Sequence, residues 1–302
     1  MERVQRNTPS TLSVTFYANE SPVDPDGQAV TVSAVKADGT VHTSSTAATR
    51  TGVGVYTYAL PSQSALQYLT FSWNGLIGGV STTLQTEVEI VGGFLFTIAQ
   101  LRAYDSSLTV GKYPYIKMVE ARMSVENEFE RICNRAFVPR FQRETLNGDG
   151  TEHLWLEKPD VRAITKLTVD GVDKLAAWVT AGLLRVDKDA TNLLFFEEGT
   201  GWFPEWSDIV IEYEHGMKHV PFPIYDKSQQ RARGYLTSKN ARIDERVSVV
   251  NAEGFGRFNL ATPGMEMGFG RYVRAGKGVY YTGIPEIDAV LKDFIYESAG
   301  VA

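Results

Sequence analysis

The sequence predicts an α+β chain. An N-terminal all-β sandwich is followed by a helical domain that carries a β-rich insertion and ends in an arm and a helix. Three observations predict it. Up to residue 92, apolar and polar residues alternate in short runs broken by turn dipeptides, which is the period of half-buried strands. From residue 94 the apolar spacing changes to three and four, the period of a helix with one buried face. Between Phe141 and Glu214 the alternation returns, and helical spacing resumes after Pro221.

The N-terminal runs are Ser13–Phe16, Val30–Val35, Val53–Leu60, Tyr68–Trp73 and Thr82–Val91. Asp24-Pro25-Asp26-Gly27, Asp38-Gly39 and Asn74-Gly75 lie between them, and Asp-Gly and Asn-Gly supply the positive φ angles of tight turns. Strands so spaced predict a sandwich of immunoglobulin type over residues 1–92. GVYTYALP at 54–61 and YLTFSW at 68–73 resemble the late strands of bacterial and phage immunoglobulin-like modules. The chain has one cysteine, so this version is free of disulfides.

Gly92-Gly93 marks the joint to the second domain, 93–302. Helices are expected over 94–108 and 112–134. The second has an apolar stripe of Met118, Ala121, Val125, Phe129 and Ile132, with Arg122, Glu126, Glu128, Glu130 and Arg131 on other faces. Pro139 ends helical structure. The insertion, 141–214, is expected to hold a hairpin at Asn147-Gly148-Asp149-Gly150 and a strand Lys166–Val169 into the turn Asp170-Gly171. Short strands follow at Trp178-Val179, Leu183–Val186, Leu193–Phe196 and Ile209–Tyr213. A helix over 222–243 carries Lys227, Arg231, Arg233, Lys239 and Arg242, which read as a solvated face or as contacts to an acidic neighbour or DNA. A Gly-rich arm, 253–284, precedes a last amphipathic helix, 285–298. That helix puts Ile284, Ile287, Leu291, Phe294 and Ile295 on one side, to dock on its own core or in a partner groove.

Composition narrows the function. In 302 residues, 43% are apolar and 22% charged, which is ordinary for a folded protein. A net charge of −6 argues against a generic grip on the nucleic-acid backbone. The first residues, MERVQRNTPS, lack the apolar core of a signal peptide, and no apolar run is of membrane-spanning length. The expectation is a protein that stays where it is made or is packed into something larger. Cys133 follows the helical stripe and reads as a small hydrophobe.

The search for chemistry yields no catalytic residue, metal site or cofactor. His215 and His219 stand four apart near Glu212 and Glu214, but across a loop with glycine and prolines and without an H-E-x-x-H pattern, so the spacing fixes no common face. His42 and His153 lie elsewhere in the chain. In the Gly-rich stretch Lys277 is followed by Gly278, and Arg271 stands where a phosphate loop needs its first glycine. No G-x-S-x-G motif or paired carboxylates stand out. The interleaved Arg257, Phe258, Phe269, Arg271, Tyr272, Arg274, Lys277, Tyr280 and Tyr281 could stack single-stranded nucleic acid. In an acidic chain they read better as an arm ordered against a neighbouring subunit. The exit IEYEHGMKHVPFPI, 211–224, reads as a structural hinge. Gly216 permits positive φ, while Pro221 and Pro223 hold the chain extended and then open a helix. Replacing either histidine by alanine is expected to leave assembly intact.

The order of elements after residue 93 carries a resemblance. It runs from FTIAQLRAY through ERICNRAF, LNGDGTEHLWLEKPDVRAITKLTVDGV and DIVIEYEHGMKHVPFPI to a helix, a Gly-rich arm and IPEIDAVLKDFIYESAGV. It resembles the head-to-tail adaptor (head-tail connector) proteins of long-tailed bacteriophages, in the form with a β-insertion, over about two-thirds of the chain. The smaller adaptors lack the immunoglobulin-like module. The resemblance implies a non-enzymatic virion protein made in the host cytoplasm and placed at the neck. There it forms a homo-oligomeric, commonly dodecameric ring that joins the portal protein to the downstream stopper or tail protein. Genomic DNA passes through the lumen without sequence-specific binding, and no membrane is involved. It also implies that the C-terminal segment docks on the portal and neighbouring subunits, through Arg257, Phe269, Arg271, Tyr272, Arg274, Tyr280, Tyr281 and the Ile284–Ile295 stripe. The alternative is a surface adhesin or carbohydrate-binding protein built on the β-modules, with Trp202 and Trp206 among its aromatics. A metallohydrolase would rest on His215 and His219 alone.

Overall fold

The computed structural model describes residues 1–237 and 281–296. The chain forms two compact units, Met1–Gly93 with Val138–Gly216 and Phe94–Phe137 with Met217–Ala302. The fold is an α+β mix of β-sheets and helices. The β-insertion groups with the N-terminal sandwich rather than with the helices.

The sandwich has one sheet in the order β1-β10-β9-β5-β6: Glu2–Gln5, Val80–Val91, Gln67–Ile77, Val30–Lys36 and Val41–Ala47. β1 runs parallel to β10 and the other pairs are antiparallel. The facing sheet is β2-β8-β7, that is Ser10–Thr15, Val55–Leu60 and Thr49–Gly52. A short hairpin, β3 (Tyr17–Ala18) with β4 (Ser21–Pro22), stands beside them. Alternation along the strands turns Leu12, Phe16, Val32, Tyr56, Phe71, Trp73 and Ile90 inward into one apolar core. Each such side chain contributes about 1.5–3 kcal/mol on burial.

Asn74-Gly75 is not a turn, although its sequence predicts one. Both residues lie inside β9, and the turn to β10 comes at Gly78-Gly79, with φ of 58° and 78°. Packing displaces the local preference. A Cβ on Gly75 would sit 2.9 Å from the Pro25 ring. Asn74 accepts a hydrogen bond from the Thr83 hydroxyl across the hairpin at 2.7 Å, and the Asp26 carboxylate accepts from the amides of Gly78 and Gly79.

The insertion is a second pair of sheets. One is β11-β17-β13-β14: Arg140–Asn147, Asp208–His215, Val161–Val169 and Val172–Asp173. The other is β12-β16-β15: His153–Trp155, Leu193–Phe196 and Leu184–Val186. Leu154, Leu167, Leu194, Phe196, Phe203, Ile209, Ile211 and Tyr213 form their core. Trp178-Val179 is not a strand but part of a π-helical turn, Leu175–Thr180. The Asp173 carboxylate accepts the Leu175 amide at 2.8 Å and opens the turn, and the Trp178 ring packs edge-on against Phe196 at 5.0 Å.

Within this unit, charge and packing fasten sandwich to insertion. One carboxylate oxygen of Glu89 on β10 accepts from Arg3 on β1 at 3.0 Å and from Arg140 on β11 at 3.1 Å, with all three side chains buried. Lys166 reaches Asp38 at 2.9 Å, Arg6 lies 3.5 Å from Glu214, and the Tyr68 ring meets Phe141 edge-on.

The second unit is helical. Helix α1 is Ile98–Tyr104, shorter than the expected 94–108. Thr97 opens it with a full capping box, its hydroxyl accepting the Gln100 amide while Gln100 accepts the Thr97 amide. Helix α2, Tyr115–Cys133, ends at left-handed Asn134. Helix α3 covers Phe222–Thr237 as described, and α4, Pro285–Lys292, stops short of the expected 298. The α2 stripe buries Met118, Ala121, Val125 and Phe129 as expected, but Arg122 and Glu126 are buried as well. Glu126 accepts the Leu95 amide at 3.0 Å, and the Arg122 guanidinium lies 3.4 Å from the centre of the Phe94 ring. The flank of the stripe is therefore polar but enclosed.

Candidate assembly site

The C-terminal segment is built on a small polar box. Asp288, in the first turn of α4, accepts from the Thr282 amide at 2.8 Å and from the Thr282 hydroxyl at 2.7 Å, and that hydroxyl accepts the Ile284 amide. Pro285 opens the helix, where its missing N–H leaves nothing unpaired. Burial raises the Asp288 carboxyl above its ordinary value, against the lowering effect of the Thr282 hydrogen bonds.

Below this box α4 belongs to the core of its own unit. Ile287 and Leu291 are fully buried, so as placed they offer no surface to a partner. The Leu291 carbonyl accepts from the Cys133 thiol, the Tyr296 amide donates to the Cys133 carbonyl at 2.8 Å, and Phe294 meets Phe137 edge-on at 5.9 Å. Of the stripe, Ile284, Phe294 and Ile295 remain half-buried, and Tyr281 is exposed. The other expected docking residues, Arg257, Phe269, Arg271, Tyr272, Arg274 and Tyr280, lie outside the described residues, as do Lys239 and Arg242. Burial pushes the Cys133 thiol up to about 12, so it holds its proton at neutral pH and supplies no nucleophile.

The basic residues of α3 that are described are engaged inside their own unit. Arg231 is buried and grips both oxygens of Glu128 at 2.8 and 2.7 Å, with the Tyr235 hydroxyl donating to the same carboxylate. Arg233 pairs with Asp105, and Lys227 lies 3.5 Å from Asp226. Of the expected basic face, Arg231 is withdrawn into its buried ion pair, whereas Arg233 is exposed and Lys227 half-buried. Arg231, Glu128, Tyr235, Tyr281 and Thr282 line a polar cavity of about 320 Å³.

The exit from the insertion begins at the end of β17. β17 is an interior strand of its four-stranded sheet, and its alternation buries Ile209, Ile211, Tyr213 and then His215. Burial lowers the His215 pKa to about 3, with the charges of Lys158 and Arg140 adding to the effect. His219 is exposed in the loop beyond. The two histidines therefore stand in opposite surroundings, and substitution at His215 opens a core position whereas substitution at His219 does not. Among the described residues, no three His, Cys, Asp or Glu side chains group as a metal site. Gly216 has φ of +94°, and its amide donates to Asp160 O at 3.0 Å. Pro221 O accepts the first helical amide, that of Tyr225, which leaves Pro223 within the first turn of α3.

Sequence reasoning missed the burial of His215, Arg122 and Glu126. Strand parity would have found the first, since His215 stands two residues beyond Tyr213 on the same face.

The geometry defines an α+β protein with enclosed polar joints. No family model and no curated protein matches the chain. Among solved structures, a chain of the "Neck of empty GTA particle computed with C6 symmetry" matches 48% of this chain and 80% of its own length, at 14% identity and a TM-score of 0.38. Among the described residues no helix is long and apolar enough to cross a membrane.

Proposed function

We propose that the chain is a structural subunit of a phage-type virion neck without enzymatic activity. It forms a homo-oligomeric ring that joins the portal to the downstream stopper or tail protein and encloses the DNA passage. The observation that carries the reading is a split helical frame. α1 and α2 come before the insertion, α3 and α4 after it, and the four pack as one unit. That is the element order on which the resemblance to head-to-tail adaptors rests. The internal pairing of Arg231, Arg233 and Lys227 supports a subunit that does not hold DNA along α3. Gly216, Pro221 and Pro223 then serve as the joint at which the insertion is handed back to the frame.

The test is the mass of the chain mixed with its portal ring. A stoichiometric annular complex is the expected result, and persistent monomer without association overturns the proposal. Deleting 253–280 while keeping α4 is expected to abolish docking with the melting curve unchanged.

A further inference from the structure

The segment between β16 and β17 exposes two tryptophans on a fixed backbone. Phe203 anchors it and is fully buried against the rings of Trp178 and Phe196. The backbone on either side is sewn to the 147–151 hairpin. Phe203 N–H donates to Thr151 O at 2.8 Å, Gly150 N–H to Phe203 O at 2.9 Å, Trp206 N–H to Gly148 O at 2.9 Å, and Gly148 N–H to Ser207 O at 3.0 Å. A Cβ on Gly148 would lie 1.9 Å from Pro204 O, so the two strands of chain meet at glycine-only separation. On this frame Trp202 is 64% exposed and Trp206 84% exposed. Trp206 also has φ of +62°, a left-handed conformation that glycine or asparagine takes at lower cost. A bulky residue held there, contributing almost nothing to the core, points to function at that position.

The surroundings set the chemistry of what it meets. Residues 197–208 contain Glu197, Glu198, Glu205 and Asp208, with neither Lys nor Arg, and the hairpin residues 147–152 add Asp149 and Glu152, again without a Lys or Arg. Arg185 neutralises Glu197 alone. Exposed indoles in segments that are rich in carboxylates and lack Lys and Arg suit a ligand that carries cations and aromatic rings, through cation–π contacts, ring stacking and charge. The chain contains such a segment outside its described residues: 268–280 has Arg271, Arg274 and Lys277, the rings of Phe269, Tyr272 and Tyr280, and no acidic residue.

We infer that the Trp202/Trp206 loop receives the basic-aromatic segment 268–280 of a second copy of this chain. The inference rests on the oligomeric reading above and deepens it. Arm into loop is a head-to-tail contact, and repeated with rotation it closes a ring.

The experiment titrates a synthetic peptide of residues 268–281, which lacks tryptophan, into the dilute full-length chain and follows tryptophan emission, with the anisotropy of a dye on the peptide as the readout for every variant. Saturable binding is expected, weaker as salt rises from about 0.05 to about 0.5 M. Affinity should fall about tenfold or more in Trp202→Ala/Trp206→Ala and in Glu205→Lys. A peptide with Arg271, Arg274 and Lys277 all changed to Ala should not bind. Both indoles are exposed, so unchanged melting curves confirm that the variants are folded. No binding, or equal binding to the loop variants, overturns the inference. So does an emission change produced by cell-wall oligosaccharide but not by the peptide, which would make the loop a saccharide site. A portal complex that forms normally with the loop variants removes this inference and leaves the ring. Peptide docking without any portal complex retains the loop contact and removes the neck.

Discussion

Glu89 shows how one residue fixes two parts of a unit. One oxygen of its carboxylate holds both Arg3 and Arg140, at 3.0 and 3.1 Å, inside the protein, so removing it takes a shared anionic acceptor from two buried guanidinium groups. Glu89→Ala is expected to destabilise its unit by about 3–5 kcal/mol, read as a shift in the urea midpoint. His215 acts through protons instead. Its folded pKa, lowered to about 3, lies below the ordinary value, so between about pH 6.5 and 3 the unfolded chain binds a proton that the native state does not. Stability is therefore full above pH 6.5 and falls as pH falls, by about 2 kcal/mol at pH 5 from this group alone. His215→Gln should remove about 2 kcal/mol of the loss in unfolding free energy between pH 7 and 5, read from the urea midpoint at each pH. If the profile keeps its slope, another group sets the acid sensitivity.

At the scale of elements, β17 and α4 are where core and junction meet. Gly216 leaves β17 at φ of +94°, so Gly216→Val should cost about 1–2 kcal/mol, whereas His219→Ala, in the exposed loop, should be nearly neutral in the same melt. Leu291→Ala should cost about 2–5 kcal/mol, because that side chain completes the helical core. For the same reason a truncation at 253 removes core as well as arm, and only a deletion that spares α4 isolates docking. Elements with long periodic patterns were legible in the sequence: the β9–β10 strands, the α2 stripe and the β17 alternation. Those set by distant partners were not. Asn74-Gly75 reads as a turn until Pro25 packs on it, and Trp178-Val179 reads as a strand until Asp173 caps the turn that holds it. Arg122 and Glu126 read as surface because one sequence does not reveal that Phe94 and the Leu95 amide come to meet them. The Trp202/Trp206 loop was legible as composition only. Its left-handed backbone depends on Gly148, more than 50 residues away in sequence.

For the molecule as a whole, the grouping of sandwich with insertion makes a cooperative claim. The Glu89 triad, the Lys166–Asp38 pair, the Tyr68–Phe141 contact and the Gly92 amide on Pro139 O tie strands far apart in sequence into one body. Thr40 and then Lys166 hold the Asp38 carboxyl below the usual carboxylate range, so this pair contributes at neutral pH and weakens only in strong acid. If the body opens as one, the slowest amides of β9 and β10 should share a single opening free energy with those of β17 in native-state hydrogen exchange. Glu89→Ala should then lower both by the same amount, although Glu89 lies on the sandwich side. Exchange that is lowered in the sandwich while β17 keeps its protection would mean two independent modules on one chain, and the Glu89 triad would be a local clamp rather than the weld of the unit.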